Sequence, residues 1–351
     1  MPDRTVRWGV IGSGGIARRR TIPEGILPAT NAELVAVYDI DLLANTEVAR
    51  SFGAVPATTI DQLLKATIDA VYVATPAWLH HEQTFACLRA GKHVLCEKPL
   101  GMTVAEAEGM REAAERAGIR LGMAFMMWFH SMHQAALRMV REGKLGKPVY
   151  ARAQLSCWYP PIAGAWRQNP EQGGGGSLID MGGHAIDLLE MFFGPVKRVS
   201  CFINNSVHAY SPEDSATAML FFTSGALATV DTFFCIPDQA SDNSLELYGS
   251  LGSIVAKGTI GQGSQGWMTA RLEGAAGAYE AQQERASSGG IEITPEPVNP
   301  YRAEIEEFSQ ALLDDREPSI GAAAGVRSQK ILAACYESAR TNQAIEVGAM
   351  R

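Results

Sequence analysis

Short apolar runs alternate with helical patterns through the first third of the chain. Residues 6–11 form an apolar run that leads into a glycine turn and a helix. Further strand-like runs fall at 33–39, 69–74, 93–96 and 120–125, separated by helical patterns at 42–52, 60–65, 79–90 and 104–117. Strands alternating with helices predict a parallel sheet covered on both faces. After about Trp128 the rhythm changes. A helix is predicted over 133–142, ending at Gly143, and residues 147–158 are rich in β-formers. Strand patterns then follow at 196–204, 215–222, 226–234, 244–249 and 252–256 without intervening helices. That succession predicts a mostly antiparallel sheet. Residues 261–290, rich in Gly, Ala, Ser and Gln, read as an exposed loop with a short strand at 267–272. Helical patterns at 301–314 and 323–341 close the chain. The reading is a doubly wound α/β nucleotide domain over 1–128 and an α+β domain over 129–351.

Composition narrows the partners. The chain has 351 residues, 46% hydrophobic and 19% charged, as an ordinary globular protein does. The formal net charge of -8 disfavours nucleic acid. The six cysteines match no zinc or disulfide spacing and, with no secretory apolar segment at the start, predict a cytoplasmic protein. The uncharged-looking stretch from Ser215 to Val230 is broken by Thr223-Ser224-Gly225, so it reads as two strands and a turn, not a membrane span.

Three motifs carry chemistry. Gly12-Ser13-Gly14-Gly15-Ile16-Ala17 follows the first strand and opens a helix, as a dinucleotide-binding turn does. Gly12 permits the tight turn, Gly14 the approach of a pyrophosphate, and Ala17 close helix packing. Asp39 ends the second strand, where a carboxylate accepts hydrogen bonds from the adenosine ribose and repels a 2′-phosphate. NAD is therefore expected over NADP, although Arg18, Arg19 and Arg20 lie on the first helix. Glu97-Lys98-Pro99 follows the strand at 93–96, so Lys98 sits at a strand's carboxyl end, where it can stabilise charge on a substrate oxygen.

The third motif is the run of four glycines, 173–176, followed by Asp180, His184 and Asp187. On a helix, Asp180 and His184 lie one turn apart on one face, with Asp187 close to it. A carboxylate beside an imidazole can move protons, bind a metal or simply satisfy its own helix. No regular set of further ligands accompanies them, and a redox cofactor needs a base for the alcohol proton, so proton transfer is the expectation and no metal is expected. The aromatic clusters Trp158-Tyr159 and Trp166-Arg167 suit either a polyhydroxylated ring or an interface.

These motifs, with Ala74-Thr75-Pro76 and the run Ala90 to Pro99, resemble in type and order the Gfo/Idh/MocA family, the glucose–fructose oxidoreductase and inositol dehydrogenase group. The resemblance spans essentially the whole chain. It implies a Rossmann domain plus an α+β domain with a large open-faced, mostly antiparallel sheet that forms a homodimer or homotetramer contact. It implies nicotinamide-dependent redox on a secondary alcohol of a sugar, sugar derivative or cyclitol. Lys98 would orient the hydroxyl, through a Lys-Pro bond that is often cis, and His184 would act as acid/base supported by Asp180. Cofactor contacts are expected from Gly12, Ser13, Gly14, Gly15, Ile16, Ala17, Asp39, Ile40, Ala74, Thr75, Pro76, His80, Glu97 and Lys98. Substrate contacts are expected from Lys98, Phe125, Tyr159, Trp166, Arg167, Asp180 and His184.

The chain departs from the family where Asn and Arg-Phe-x-Pro are common. It reads Met126-Met127-Trp128-Phe129-His130-Ser131, which favours a less polar or anhydro-type sugar. The segments around 70–75 and 80–84 are similar to anhydrofructose reductases. An anhydrosugar or keto-sugar reductase, a redox-assisted glycoside-cleaving enzyme that recycles NAD, and a non-catalytic NAD-binding regulator are the alternatives.

Overall fold

The computed structural model describes residues 5–273 and 289–350. Six strands, β1 (Val6–Ile11), β2 (Ala32–Tyr38), β3 (Val55–Pro56), β4 (Ala70–Val73), β5 (His93–Cys96) and β6 (Leu121–Met123), form a parallel sheet in the order β3-β2-β1-β4-β5-β6. All four residues of β4 are buried, as a strand covered on both faces requires. Capping explains why helix limits were legible in the sequence. The Asp41 carboxylate accepts from the Leu43 and Ala44 amides to start Leu42–Phe52, and Gly53 ends it in a left-handed conformation. Thr103 starts Val104–Ala117 by accepting from the Glu106 amide. Strand order reverses between β1 and β4, and the crevice beyond their carboxyl ends is where an open α/β sheet receives its ligand.

The second sheet contains β7 (Pro148–Ser156), β8 (Val196–Asn204), β9 (Ser215–Phe222), β10 (Leu227–Phe233), β11 (Ser244–Gly249), β12 (Gly252–Lys257), β13 (Trp267–Leu272), β14 (Ile291–Glu292) and β15 (Ile345–Glu346). Their order is β14-β13-β12-β11-β7-β10-β9-β8-β15. One pair departs from the antiparallel expectation: β7 and β10 run parallel, joined in sequence by the long crossover that carries the second glycine run. Ala216, Ala218, Leu220 and Phe222 of β9 alternate inward. The helix Gly183–Phe193 contacts β7 and β10 from that inner side. The opposite face is open, leaving Phe202 73% and Met219 53% exposed.

The two closing helices return to the first sheet. Pro300–Leu313 packs on the first helix, Ser13–Ile26. There Phe308 meets the buried Trp8 ring at 5.5 Å and Ser309 accepts from its indole N–H. Ala322–Thr341 lies against both β8 and the helix Val104–Ala117. Of the loop expected over 261–290, residues 274–288 lie outside the described residues, and the short strand within it is β13. Among the described residues no helix is long and apolar enough to cross a membrane.

Candidate active site

The crevice at the carboxyl ends of β1 and β4 opens into a cavity of about 1120 Å³ that runs to the second sheet. Its nucleotide end is built on the first glycine turn. Gly12 takes φ 85°, and a Cβ there would lie 2.7 Å from the backbone of Ala74 and Thr75, so only glycine fits. The Gly14 amide donates to Asp39 Oδ2 at 2.9 Å, and the Asp41 amide donates to Asp39 Oδ1 at 3.1 Å. Asp39 therefore braces the turn while lining the cavity with Ile40. A Cβ on Gly15 would meet nothing within 4 Å, which leaves open space at the start of the helix. An open glycine turn, the amides of a helix start and a carboxylate at the end of the neighbouring strand fit a dinucleotide.

Several expected cofactor contacts move. Ser13 is buried and its hydroxyl donates to Asn45, while Ala17 is packed inside, so both shape the turn without a side chain in the cavity. His80 is also buried, not cleft-facing. Its Nδ1 lies 2.8 Å from the Pro99 carbonyl and its Nε2 2.9 Å from the Thr75 carbonyl. Both ring nitrogens thus face carbonyls of two strand-end loops; the neutral ring that burial favours donates to one of them, and the side chain does not reach the cleft. Ile16, Ala74, Thr75, Pro76 and Glu97 line the cavity. Glu97 also accepts from the Tyr72 hydroxyl at 2.5 Å and from the Lys98 amide at 3.2 Å; burial pushes its carboxyl up despite Lys98. Arg18 and Arg20 turn aside to Glu47 and Glu24, but Arg19 lines the cavity.

At the other end, three elements converge. Lys98, followed by a cis bond to Pro99, donates from Nζ to the Asp180 carbonyl at 2.5 Å and to Asp180 Oδ1 at 2.8 Å. Arg167 Nε donates to the same Oδ1 at 2.9 Å, with its guanidinium stacked 4.2 Å over the Trp166 ring. Burial opposes charge on Asp180, but Arg167 and Lys98 outweigh it and hold the carboxyl well below the usual carboxylate range. Asp180 lies in a wide helical turn, Leu178–Gly182, and His184 in the regular helix that follows. The expected support of His184 by Asp180 is therefore corrected: the Asp180 carboxylate is committed to two cations, and no hydrogen bond joins it to the imidazole.

His184 lines the cavity, its ring edge-on to Phe125 at 5.9 Å, and its Nδ1 is buried without a partner among the described residues. Burial, reinforced by Lys98 and opposed by Asp180, pushes its pKa down to about 3, so the ring is neutral at neutral pH. Phe125, expected against substrate, stands behind His184 at 1% exposure, and Met126 and Met127 take its place on the wall. Trp166 and Arg167 line the cavity, whereas Tyr159 packs on Phe234 outside it. Asp187 is buried away from the cleft; burial and then Glu190 push it up to about 8 against Arg327. Sequence reasoning missed Cys157, Asp238, Asn243 and Tyr301 on the walls. None belongs to a local motif, so no sequence signal marked them.

Comparison with known proteins agrees with this fold. The description "Oxidoreductase family, NAD-binding Rossmann fold" matches residues 6–125, and "GFO/IDH/MocA C-terminal domain" matches residues 133–255. A 1,5-anhydro-D-fructose reductase of Ensifer adhaerens is 30% identical over 97% of this chain and 98% of its own. A D-xylose 1-dehydrogenase (NADP(+)) of Haloferax volcanii is 27% identical over 97% and 99%. The crystal structure of an aldose-aldose oxidoreductase from Caulobacter crescentus complexed with glycerol superposes with a TM-score of 0.85 at 25% identity, covering 98% of this chain and 100% of that one. A levoglucosan dehydrogenase in complex with NADH and levoglucosan has a TM-score of 0.85 at 22% identity, over 98% and 100%, and shares the fold. The chain belongs to the Gfo/Idh/MocA family of NAD-binding oxidoreductases.

Proposed function

We propose that the protein is an NAD-dependent dehydrogenase that oxidises a secondary alcohol of a sugar, sugar derivative or cyclitol. The observation that carries this reading is the meeting of Lys98, Asp180 and His184 at the inner end of the nucleotide crevice. When bound, a nicotinamide cofactor supplies the hydride acceptor. The residues that would hold it are the amides of the first glycine turn, Asp39 at the adenosine ribose, and Thr75 and Pro76 along the crevice. His184 is neutral and accepts the hydroxyl proton as the carbinol carbon is oxidised. With Nδ1 buried, Nε2 is the nitrogen left for that task. The Lys98 ammonium donates to the reacting oxygen and stabilises its developing charge, while Asp180 and Arg167 fix where Lys98 points. Retention of both Lys98 and His184 argues against a non-catalytic regulator.

A second reading runs the same chemistry in reverse, reducing an anhydro or keto sugar. The apolar wall of Met126 and Met127 and the full-length similarity to the 1,5-anhydro-D-fructose reductase favour it. Asp39 favours NAD; among the described wall residues, Arg19 and Arg89 are cations that could meet a 2′-phosphate. We place a homo-oligomer contact on the open face around Phe202 and Met219. A monomeric mass by light scattering would remove that assignment.

The deciding experiment is a screen with both cofactors in both directions over monosaccharides, anhydrosugars, inositols and glycosides. Cofactor reduction with a sugar alcohol supports the first reading, and cofactor oxidation with 1,5-anhydro-D-fructose the second. Glycoside cleavage without net change in cofactor would displace both.

A further inference from the structure

The glycine run at 173–176 is pressed against one buried acid. Glu213, 5% exposed, comes from the loop between β8 and β9. Its carboxylate accepts from the Gly176 amide at 3.0 Å on each oxygen and from the Leu178 amide at 3.0 Å. Its own carbonyl accepts from the Ser177 amide at 3.0 Å. Tyr336, from the last long helix, donates to the same carboxylate at 2.8 Å. Three successive amides, 176–178, thus end on one residue distant in sequence. These are the amides that a helical turn beginning here leaves without partners of its own. Glycine is required where this happens: a Cβ on Gly176 would overlap the Glu213 carbonyl, and one on Gly175 would overlap the Tyr336 hydroxyl.

The clamped residues carry the reacting groups. The Asp180 amide donates to the Gly176 carbonyl at 3.1 Å, so the turn holding Asp180 begins on the clamped residue. Its other support is Ser177, whose hydroxyl donates to the Thr232 carbonyl at 3.1 Å. The loop that supplies Glu213 also holds the aromatic cluster upstream of the site, where the Tyr210 hydroxyl donates to the Tyr159 carbonyl at 3.0 Å and His208 packs on Trp158 at 4.9 Å. The next residue, Asp214, holds that loop by accepting from the amides of Ser206, Val207 and His208.

We infer that Glu213, braced by Tyr336, is a positioning residue that sets Asp180 and His184 by capping the turn at 176–178. This rests on the reading above that Lys98, Asp180 and His184 perform the chemistry. Glu213 touches neither cavity nor reacting atoms, so its effect runs through the backbone alone. A displacement of about 1 Å in a reacting group can cost on the order of 100-fold in rate.

The test compares Glu213→Ala, Glu213→Gln, Tyr336→Phe and His184→Ala in the full chain. Turnover is measured with 1,5-anhydro-D-fructose or the sugar the screen selects. Hydrogen exchange of the 176–184 amides is measured on the same proteins without substrate. The expected result for Glu213→Ala is a kcat loss of roughly 10- to 100-fold with KM for the dinucleotide within about twofold. Exchange at 176–178 rises, and Glu213→Gln, which keeps one acceptor oxygen, recovers most of the loss. Adding Glu213→Ala to His184→Ala costs little more, because both act on one step. Wild-type kcat and wild-type exchange in a folded Glu213→Ala protein would overturn the inference, as would an equal further loss on the His184→Ala background. If the alanine variant does not fold, Tyr336→Phe decides: it is expected to lower kcat and raise exchange at 176–178, and unchanged turnover together with unchanged exchange overturns the inference. Wild-type turnover in His184→Ala alone instead sinks the functional reading and leaves the clamp to be judged by exchange.

Discussion

The molecule contains two glycine-rich turns, each opening a helical segment, and they use glycine for opposite ends. In the first turn the missing side chain of Gly15 keeps space empty: a Cβ there would meet nothing within 4 Å, and the cavity begins there. At 173–176 the missing side chains let the chain's own atoms in, and Glu213 and Tyr336 fill the room. The same composition thus marks a ligand site in one place and a packed joint in the other. A single acid braces each turn. Asp39 accepts one amide of its turn and stays on the cavity wall, whereas Glu213 accepts two with its carboxylate and a third with its carbonyl, and is buried.

The comparison is broken most severely by removing the groups that the second turn and its facing strand end present. Lys98→Ala and His184→Ala should each lower kcat by roughly 10²- to 10⁴-fold while the dinucleotide still binds. Steady-state kinetics with a fluorescence measurement of NADH binding checks this, and near wild-type turnover in either variant removes its assigned role. Gly176→Ala comes next. Its Cβ has nowhere to go, so we expect a loss of about 2–4 kcal/mol in urea unfolding. Gly15→Ala should change stability by no more than about 1 kcal/mol yet weaken NAD binding. If Gly15→Ala proves the more damaging to stability, the contrast between an open and a filled turn is wrong.

Acid should act on the second region. His184, and His133 beneath Met127, are both pushed down to about 3, His133 by burial and then by His130. The unfolded chain binds protons on these groups below its ordinary histidine pKa of about 6.5, and the folded chain does not. The two histidines therefore contribute a loss of stability as pH drops from about 6.5 towards 3, by up to about 1.4 kcal/mol per pH unit each, while Asp187, pushed up to about 8, contributes in the opposite sense above its ordinary carboxyl range. His133 holds its neutral form in place between the Met127 carbonyl at 2.8 Å and the Thr259 hydroxyl at 3.0 Å. NMR titration of the histidine rings between about pH 4.5 and 7 checks this, and a His133 or His184 ring that protonates near about 6.5 would show that it is not held neutral. The smallest effect is expected at the first turn. Asp39→Asn should shift the ratio of kcat/KM for NAD over NADP towards NADP by about tenfold, and no shift would separate cofactor choice from Asp39.

Legibility followed locality. The first sheet was readable because its strands are continuous apolar runs and its helices carry their own caps, Asp41 and Thr103. Lys98 was placed correctly at a strand end because that position follows from the strand itself. His80 and Phe125 were misassigned because lying near the cleft in sequence does not decide which way a side chain points. His80 turns inward to two carbonyls, and Phe125 stands behind the histidine it was expected to accompany. The spacing of four between Asp180 and His184 suggested that the carboxylate supports the imidazole, but cations distant in the sequence claim that carboxylate.

By itself the sequence determined the alternation of strands and helices, the first glycine turn with its acid, and the chemical identity of the reacting groups. These depend on side-chain period, backbone permissiveness and functional-group chemistry, all local properties. Tertiary structure decided that Asp180 serves Lys98 and Arg167, that β7 and β10 run parallel, and that the second glycine run is a joint closed by Glu213 and Tyr336. Each of those is a contact between residues far apart in the chain, and such contacts exist only once the two sheets and the closing helix have packed together.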